Sequence, residues 1–236
     1  MFLLHPPVLS YKLILKSEKN KKMGKYDLIL YDLDGTVWDS IPLIIKCFKH
    51  AYNEVLGYCD RSDDDLKSYI GRPLGLTFER HDEATARKLL DSYLAINEVL
   101  LQKDEIDLFD GVMDELNRIK NLGIPQGYVT SKRIVSSQVT LRLKGLDDFF
   151  DVCVCKEDTE KHKPDPEPLF FAAKKLGITD MSRIIYIGDA LVDALCAKNA
   201  GADFALVEWS TMDKDAILAA APPGTRTIGR FSEVIN

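Results

Sequence analysis

Two aspartates stand one residue apart in "ILYDLDGTVWDS", where an apolar run climbs to Tyr31 and residues 26–33 read as a strand. Along an extended segment every second side chain points the same way, so Asp32 and Asp34 share a side. One carboxylate of such a pair can attack as a nucleophile while the other, kept partly protonated, serves as general acid and base. Gly35 follows at once and allows close backbone approach to a bound anion.

Other groups with chemistry to offer end other apolar runs. "IPQGYVTS" closes on Thr130 and Ser131, whose hydroxyl and backbone N–H groups can donate to phosphate oxygens. "RIIYIGD" closes on Gly188 and Asp189, with Asp193 four residues on. Asp32, Asp34, Asp189 and Asp193 brought to one edge would repel one another and need a cation. An all-oxygen donor set favours Mg²⁺, and carboxylates with Mg²⁺ usually hold phosphate oxygens. Lys163, just before Pro164 in "KHKPDPEP", can neutralise phosphate and carboxylate together. Each residue also has a plainer reading. Asp-Gly is a common turn pair, Thr130 and Ser131 suit a helix N-cap, Asp193 could face solvent, and Arg72 in "IGRPLG" is either a surface turn residue or a contact to a substrate anion.

The elements that must position these groups follow from periodicity. Residues 42–56 and 84–101 carry apolar side chains at helical spacing, and residues 41–107 read as helical with no strand. Beyond them the pattern alternates. "DGVMDELNRIKNLG" is a helix, "IPQGYVTS" a strand, residues 133–143 a helix and "FFDVCVC" a strand. A further helix over "DPEPLFFAAKKLG" leads to the strand "RIIYIGD", the helix "LVDALCAKNAG" and the strand "ADFALVE", with "DKDAILAAA" and "TRTIG" last. Such alternation implies an α/β protein with a parallel sheet, helices on both faces and sites at the carboxyl ends of the strands.

"DLDGT", "VTS", the lysine of "KPDPEP" and "GDALVDALCAKNAG" resemble, in order, the four motifs of the haloacid dehalogenase superfamily, over about residues 26–208. The helical stretch after the first motif is similar to the small cap of the phosphoglycolate phosphatase-like subfamily. The resemblance implies a Rossmann-like core over 23–40 and 108–236 with an inserted all-helical cap over 41–107. It implies that Asp32 is the nucleophile, that Asp34 protonates the leaving group and then activates water, that Thr130 binds the phosphoryl group and that Lys163 steadies it. It further implies Mg²⁺ on Asp32, the backbone carbonyl of Asp34 and Asp189, with Asp193 orienting Lys163 or a metal-bound water. Dehalogenases and phosphonate hydrolases of the superfamily lack a carboxylate at the position of Asp34, so its presence points to phosphoryl transfer.

Bulk properties fit a small-molecule enzyme. The 236 residues suit one large domain or one domain with an insertion, and a net charge of −6 offers no footprint for nucleic acid. No run spans a bilayer. Five scattered cysteines indicate a reduced, cytoplasmic setting, with Cys153 and Cys155 sharing a buried strand face rather than forming a metal pair. Residues 1–22 run from apolar to basic, the reverse of a signal peptide, and are expected to be a loosely ordered extension. The expected function is a Mg²⁺-dependent phosphatase acting on a small phosphorylated metabolite, as a monomer or homodimer. Pyrophosphatase, nucleotidase, sugar-phosphate mutase and a catalytically silent binding protein are the alternatives.

Overall fold

The computed structural model describes residues 24–71 and 74–235. The expectations for residues 1–22 and for Arg72 fall outside them.

The first strand, β1 (Leu28–Tyr31), is buried on both faces, as a parallel sheet requires of a central strand. Leu28 and Leu30 enter one apolar cluster, Ile29 and Tyr31 the other. Complete burial of Leu28, Ile29 and Leu30 contributes about 1.5–3 kcal/mol for each side chain. A two-residue strand, β2 (Trp38–Asp39), leads into α1 (Ile41–Leu56), α2 (Asp63–Lys67), α3 (Leu74–Thr77) and α4 (Glu83–Leu101). A second short strand, β3 (Asp107–Leu108), pairs antiparallel with β2, so this ribbon joins both ends of the helical segment to the sheet-forming chain. The ribbon refines the expectation of no strand over residues 41–107. Its strands have two residues each, too few to show an alternation.

The remaining elements are α5 (Val112–Asn121), β4 (Gln126–Val129), α6 (Ile134–Leu143), β5 (Val152–Val154), α7 (Glu167–Lys175), β6 (Ile184–Gly188), α8 (Leu191–Ala200), β7 (Asp203–Val207), α9 (Lys214–Ala220) and β8 (Arg226–Ile228). The six long-range strands form one parallel sheet in the order β5-β4-β1-β6-β7-β8. This is the expected α/β Rossmann-like architecture. Val112, Leu116 and Ile119 of α5 cover one face, and Leu169, Ala194 and Ile217 cover the other.

α1 forms because Ile41, Ile44, Ile45, Phe48 and Tyr52 fall on one side, with Pro42 in its first turn and Gly57 in the left-handed conformation at its end. Phe48 packs against Tyr93 of α4 at 4.8 Å and against Phe78 at 5.9 Å, giving the helical segment its own aromatic centre. α2 begins at Ser62 with a capping box completed by Asp65. Cys155 is buried as expected, but Cys153 is exposed, because β5 lies at the edge of the sheet.

Candidate active site

Register brings the site together. Tyr31 pairs with Tyr128 on one side and Ile187 on the other. Asp32 therefore leaves β1 at the level where β4 and β6 end, and Thr130 and Asp189 stand two residues beyond those partners at the same carboxyl edge. Asp32 N–H donates to Ile187 O at 2.8 Å and Thr130 N–H to Val154 O at 2.9 Å, extending the ladder to these two residues.

Asp32, Lys163, Asp189 and Asp193 are all buried. Lys163 Nζ lies 3.0 Å from Asp32 Oδ1 and 2.7 Å from Asp193 Oδ1. It also donates to the Tyr186 hydroxyl at 3.1 Å, which in turn donates to Val129 O at 2.7 Å. The ammonium thus donates to Tyr186 and Asp193 and forms an ion pair with Asp32. Burial alone would lower the pKa of Lys163, but the carboxylates of Asp193 and Asp32 outweigh it and hold the lysine above its ordinary value. Asp193 is fully committed. Its Oδ1 accepts from Lys163 and its Oδ2 accepts from Ala190 N–H at 3.0 Å. It touches the lysine and does not face solvent. The neighbouring Lys161 is exposed and His162 half-buried, so Lys163 alone of the three is buried against the carboxylates.

Asp189 completes the cluster. One ligand oxygen each from Asp32, Asp189 and Asp193 can be chosen so that all lie within 4.8 Å of one another. The Thr36 hydroxyl is 3.4 Å from Asp189 Oδ1, while Asp189 Oδ2 is buried without a hydrogen-bond partner. Burial, and the nearby charges of Asp193 and Asp32, raise the pKa of Asp189 well above the usual range. Asp32 is pushed up to about 7, by burial first and then by Asp193 and Asp34, against the pull of Lys163. An orphaned carboxylate oxygen among carboxylates that resist ionisation fits a hard divalent cation, whose charge would reverse both effects.

Gly35 makes the crowding possible. Its φ is +85°, and a Cβ there would stand 2.3 Å from Asp189 Oδ2. At Gly188 a Cβ would stand 2.6 Å from the Cβ of Asp193. Both glycines let carboxylate-bearing segments come closer than any side chain would allow.

Asp34 has a separate environment. Its Oδ1 accepts from Ser40 Oγ at 2.6 Å, Trp38 Nε1 at 2.8 Å and Lys132 Nζ at 3.0 Å. Burial opposes the charge of Asp34, but Lys132 and these hydrogen bonds prevail and hold its pKa below the ordinary value. The order differs from the expectation of a partly protonated Asp34 beside an ionised Asp32: the donors collected around Asp34 favour its charged form, and the desolvated cluster around Asp32 favours the neutral one.

Three of the groups that set this state carry no motif. Ser40 stands at the N-cap of α1, yet its hydroxyl goes to Asp34 instead of the helix. Trp38, fully buried in β2, turns its indole N–H to the same oxygen. Lys132 follows directly on Thr130 and Ser131, the one available signal. Thr130 is buried at the edge of β4, and its Oγ1 accepts from Lys132 N–H at 3.2 Å. Ser131, expected at the phosphate, donates its hydroxyl to Gly71 O at 2.9 Å and so ties the helical segment to β4.

A cavity of about 330 Å³ lies over Asp32 and Asp34, lined by Thr130, Ser131 and Lys132 below and by residues of α1 and α4 above.

The model of the haloacid dehalogenase-like hydrolase family matches residues 29–207. The chain belongs to that family. Among its relatives is the pyrophosphatase PpaX of Bacillus velezensis, 34% identical over 197 residues, which are 82% of this chain and 88% of the relative. Among solved structures, a haloacid dehalogenase-like hydrolase from Bacteroides fragilis superposes with a TM-score of 0.80 at 29% identity, over 89% of this chain and 100% of that one. A Haemophilus somnus protein described as a predicted phosphoglycolate phosphatase shares the fold, with a TM-score of 0.79 at 21% identity over 90% and 97% of the two chains. Among the described residues no helix is long and apolar enough to cross a membrane.

Proposed function

We propose that this hydrolase is a Mg²⁺-dependent phosphatase that cleaves a small phosphorylated metabolite through an aspartyl-phosphate on Asp32. The observation that carries the reading is the buried group of Asp32, Lys163 and Asp189, in which Lys163 touches the attacking carboxylate and Asp189 Oδ2 is left without a partner. Mg²⁺ held by Asp32, the carbonyl of Asp34 and Asp189 would supply Lewis-acid stabilisation of the phosphoryl oxygens. Asp32 attacks phosphorus while Thr130 and Lys163 hold the phosphoryl group against it. Asp34 gives a proton to the departing oxygen and then takes one from the attacking water. In the ground state Lys132 favours the ionised form of Asp34. An arriving phosphoryl group competes for Lys132, and that competition frees Asp34 to carry a proton.

In this reading residues 23–40 and 108–236 form the catalytic core. Residues 41–107 form a cap that excludes bulk water and selects the leaving group. Five free cysteines suit a reduced cytoplasmic setting. Inorganic pyrophosphate is the second reading, favoured by the relatives named pyrophosphatase. The test is phosphate release from phosphoglycolate, pyrophosphate, nucleoside monophosphates and sugar phosphates, with Mg²⁺, with chelator and with Asp32→Asn. Turnover that needs Mg²⁺ and Asp32 supports the proposal. Turnover that survives Asp32→Asn removes it.

A further inference from the structure

The cavity over Asp32 is chemically divided. Its floor, at the strand ends, is polar and positive, with Thr130 and Lys132 beside the aspartates and Arg133 and Lys156 at its edge. Its roof comes from the helical segment and is mostly apolar, with Ile44 and Phe48 from α1 and Leu90, Tyr93 and Leu94 from α4, interrupted by the polar groups of Thr77 and Asn97.

α4 carries more apolar surface than its packing uses. Leu89, Tyr93 and Leu100 are buried and hold the helix against α1. Leu90 and Leu94 form a second line, four residues apart and only half-buried, with Asn97 three residues further. Both leucines pack in part against the core, and what they leave exposed borders the cavity, where an apolar group would cover them further. Inorganic pyrophosphate presents charged oxygens on every side and has no face to lay against leucine. A leaving group with a hydrocarbon or aromatic body does.

Resting on the phosphatase reading, we propose that the substrate is a phosphate monoester whose leaving group is predominantly apolar, with a body of at least four carbons seated against Leu90 and Leu94. The phosphoryl end lies on the floor and the body fills the roof. Asn97, buried on that line, donates Nδ2 to Cys47 Sγ at 3.7 Å, which leaves its Oδ1 as the acceptor for a single donor on the leaving group.

The experiment is a steady-state comparison of kcat/KM, with Mg²⁺, for methyl, ethyl, propyl, butyl and pentyl phosphate, phenyl phosphate, phosphoglycolate and inorganic pyrophosphate. The expected result is a rise of up to about fourfold per methylene along the alkyl series, with phenyl phosphate above phosphoglycolate and pyrophosphate. In Leu94→Asp the ratio of pentyl to methyl phosphate falls by about tenfold or more, and the ratio is read on the folded fraction alone. A flat alkyl series, or pyrophosphate as the best compound, overturns the inference and leaves the phosphatase reading standing. No Asp32-dependent release from any member removes the phosphatase reading and the inference with it. The alkyl series is measured on the wild-type protein, so the outcome does not depend on the variant folding.

Discussion

Lys132 Nζ lies 3.0 Å from Asp34 Oδ1 and 3.3 Å from Oδ2, joining the residue after the second motif to the second aspartate of the first. Both side chains are largely shielded, at 8% and 15% exposure. Removing the cation leaves a shielded carboxylate with only the Ser40 and Trp38 donors. Lys132→Met is expected to cost about 1–3 kcal/mol, below the loss from a fully buried pair because two hydrogen bonds remain. Urea unfolding at neutral pH measures it, and Lys132→Arg should keep more than half of the difference. A loss under about 0.5 kcal/mol for Lys132→Met, the scale of an exposed pair, would show that the contact does not hold Asp34.

Lys163 offers a sharper case, since its side chain is 1% exposed and the two carboxylates it touches are equally buried. Lys163→Met leaves Asp32 and Asp193 facing each other without a cation. The expected loss is about 3–5 kcal/mol, together with loss of turnover. Adding Asp32→Asn to that variant should return part of the stability and none of the activity. If the double variant is no more stable than Lys163→Met, carboxylate repulsion is not the source of the cost.

Gly35→Ala tests the close approach at Asp189. The new methyl would meet Asp189 Oδ2 at 2.3 Å, and φ of +85° strains any residue with a Cβ. Affinity for Mg²⁺, read by calorimetry, is expected to fall by tenfold or more, with turnover falling alongside it. Unchanged binding would mean that Asp189 is not a ligand.

The raised pKa of Asp32 gives stability a pH dependence of known sign. Asp32 stands at about 7 in the fold against an ordinary 3.8. Between those values the folded state binds more protons than the unfolded chain, so stability falls as pH rises from about 4 to 7. The slope from this one group reaches at most about 1.4 kcal/mol per pH unit. Its contribution is fully present below the unfolded value and lost above the folded one. With chelator present, the stability difference between wild type and Asp32→Asn should shift in favour of the variant as pH rises from 5 to 7.5. Mg²⁺ should stabilise the wild type more at pH 7.5 than at pH 5, since it binds the ionised carboxylate. A difference that does not change with pH would contradict the assigned environment.

The sheet was legible because Leu28, Ile29, Leu30 and Tyr31 form a continuous apolar run that only a strand covered on both faces explains. The ends of such runs named Asp32, Thr130 and Asp189, and parallel register then brought them together. The β2–β3 ribbon was not legible, because two-residue strands carry no period. The partners of Asp34 were hidden for a related reason. Trp38 and Ser40 reach it through a tight turn whose Asp34–Trp38 bridge follows no regular spacing, and Lys132 arrives from 98 positions away. Ser131 was read at the phosphate from its place at the end of an apolar run; it lines the cavity, and the bond from its hydroxyl to Gly71 O was not legible because the acceptor lies 60 positions away.

The central claim is that Asp32 becomes covalently phosphorylated. The direct measurement is rapid quenching during turnover of p-nitrophenyl phosphate, borohydride reduction of any acyl phosphate, and mass spectrometry of the peptide containing "YDLDGT". The account predicts homoserine at position 32, dependent on substrate and Mg²⁺, with Asp34 unmodified. Continued turnover with position 32 unreduced, or homoserine at position 34, would contradict it.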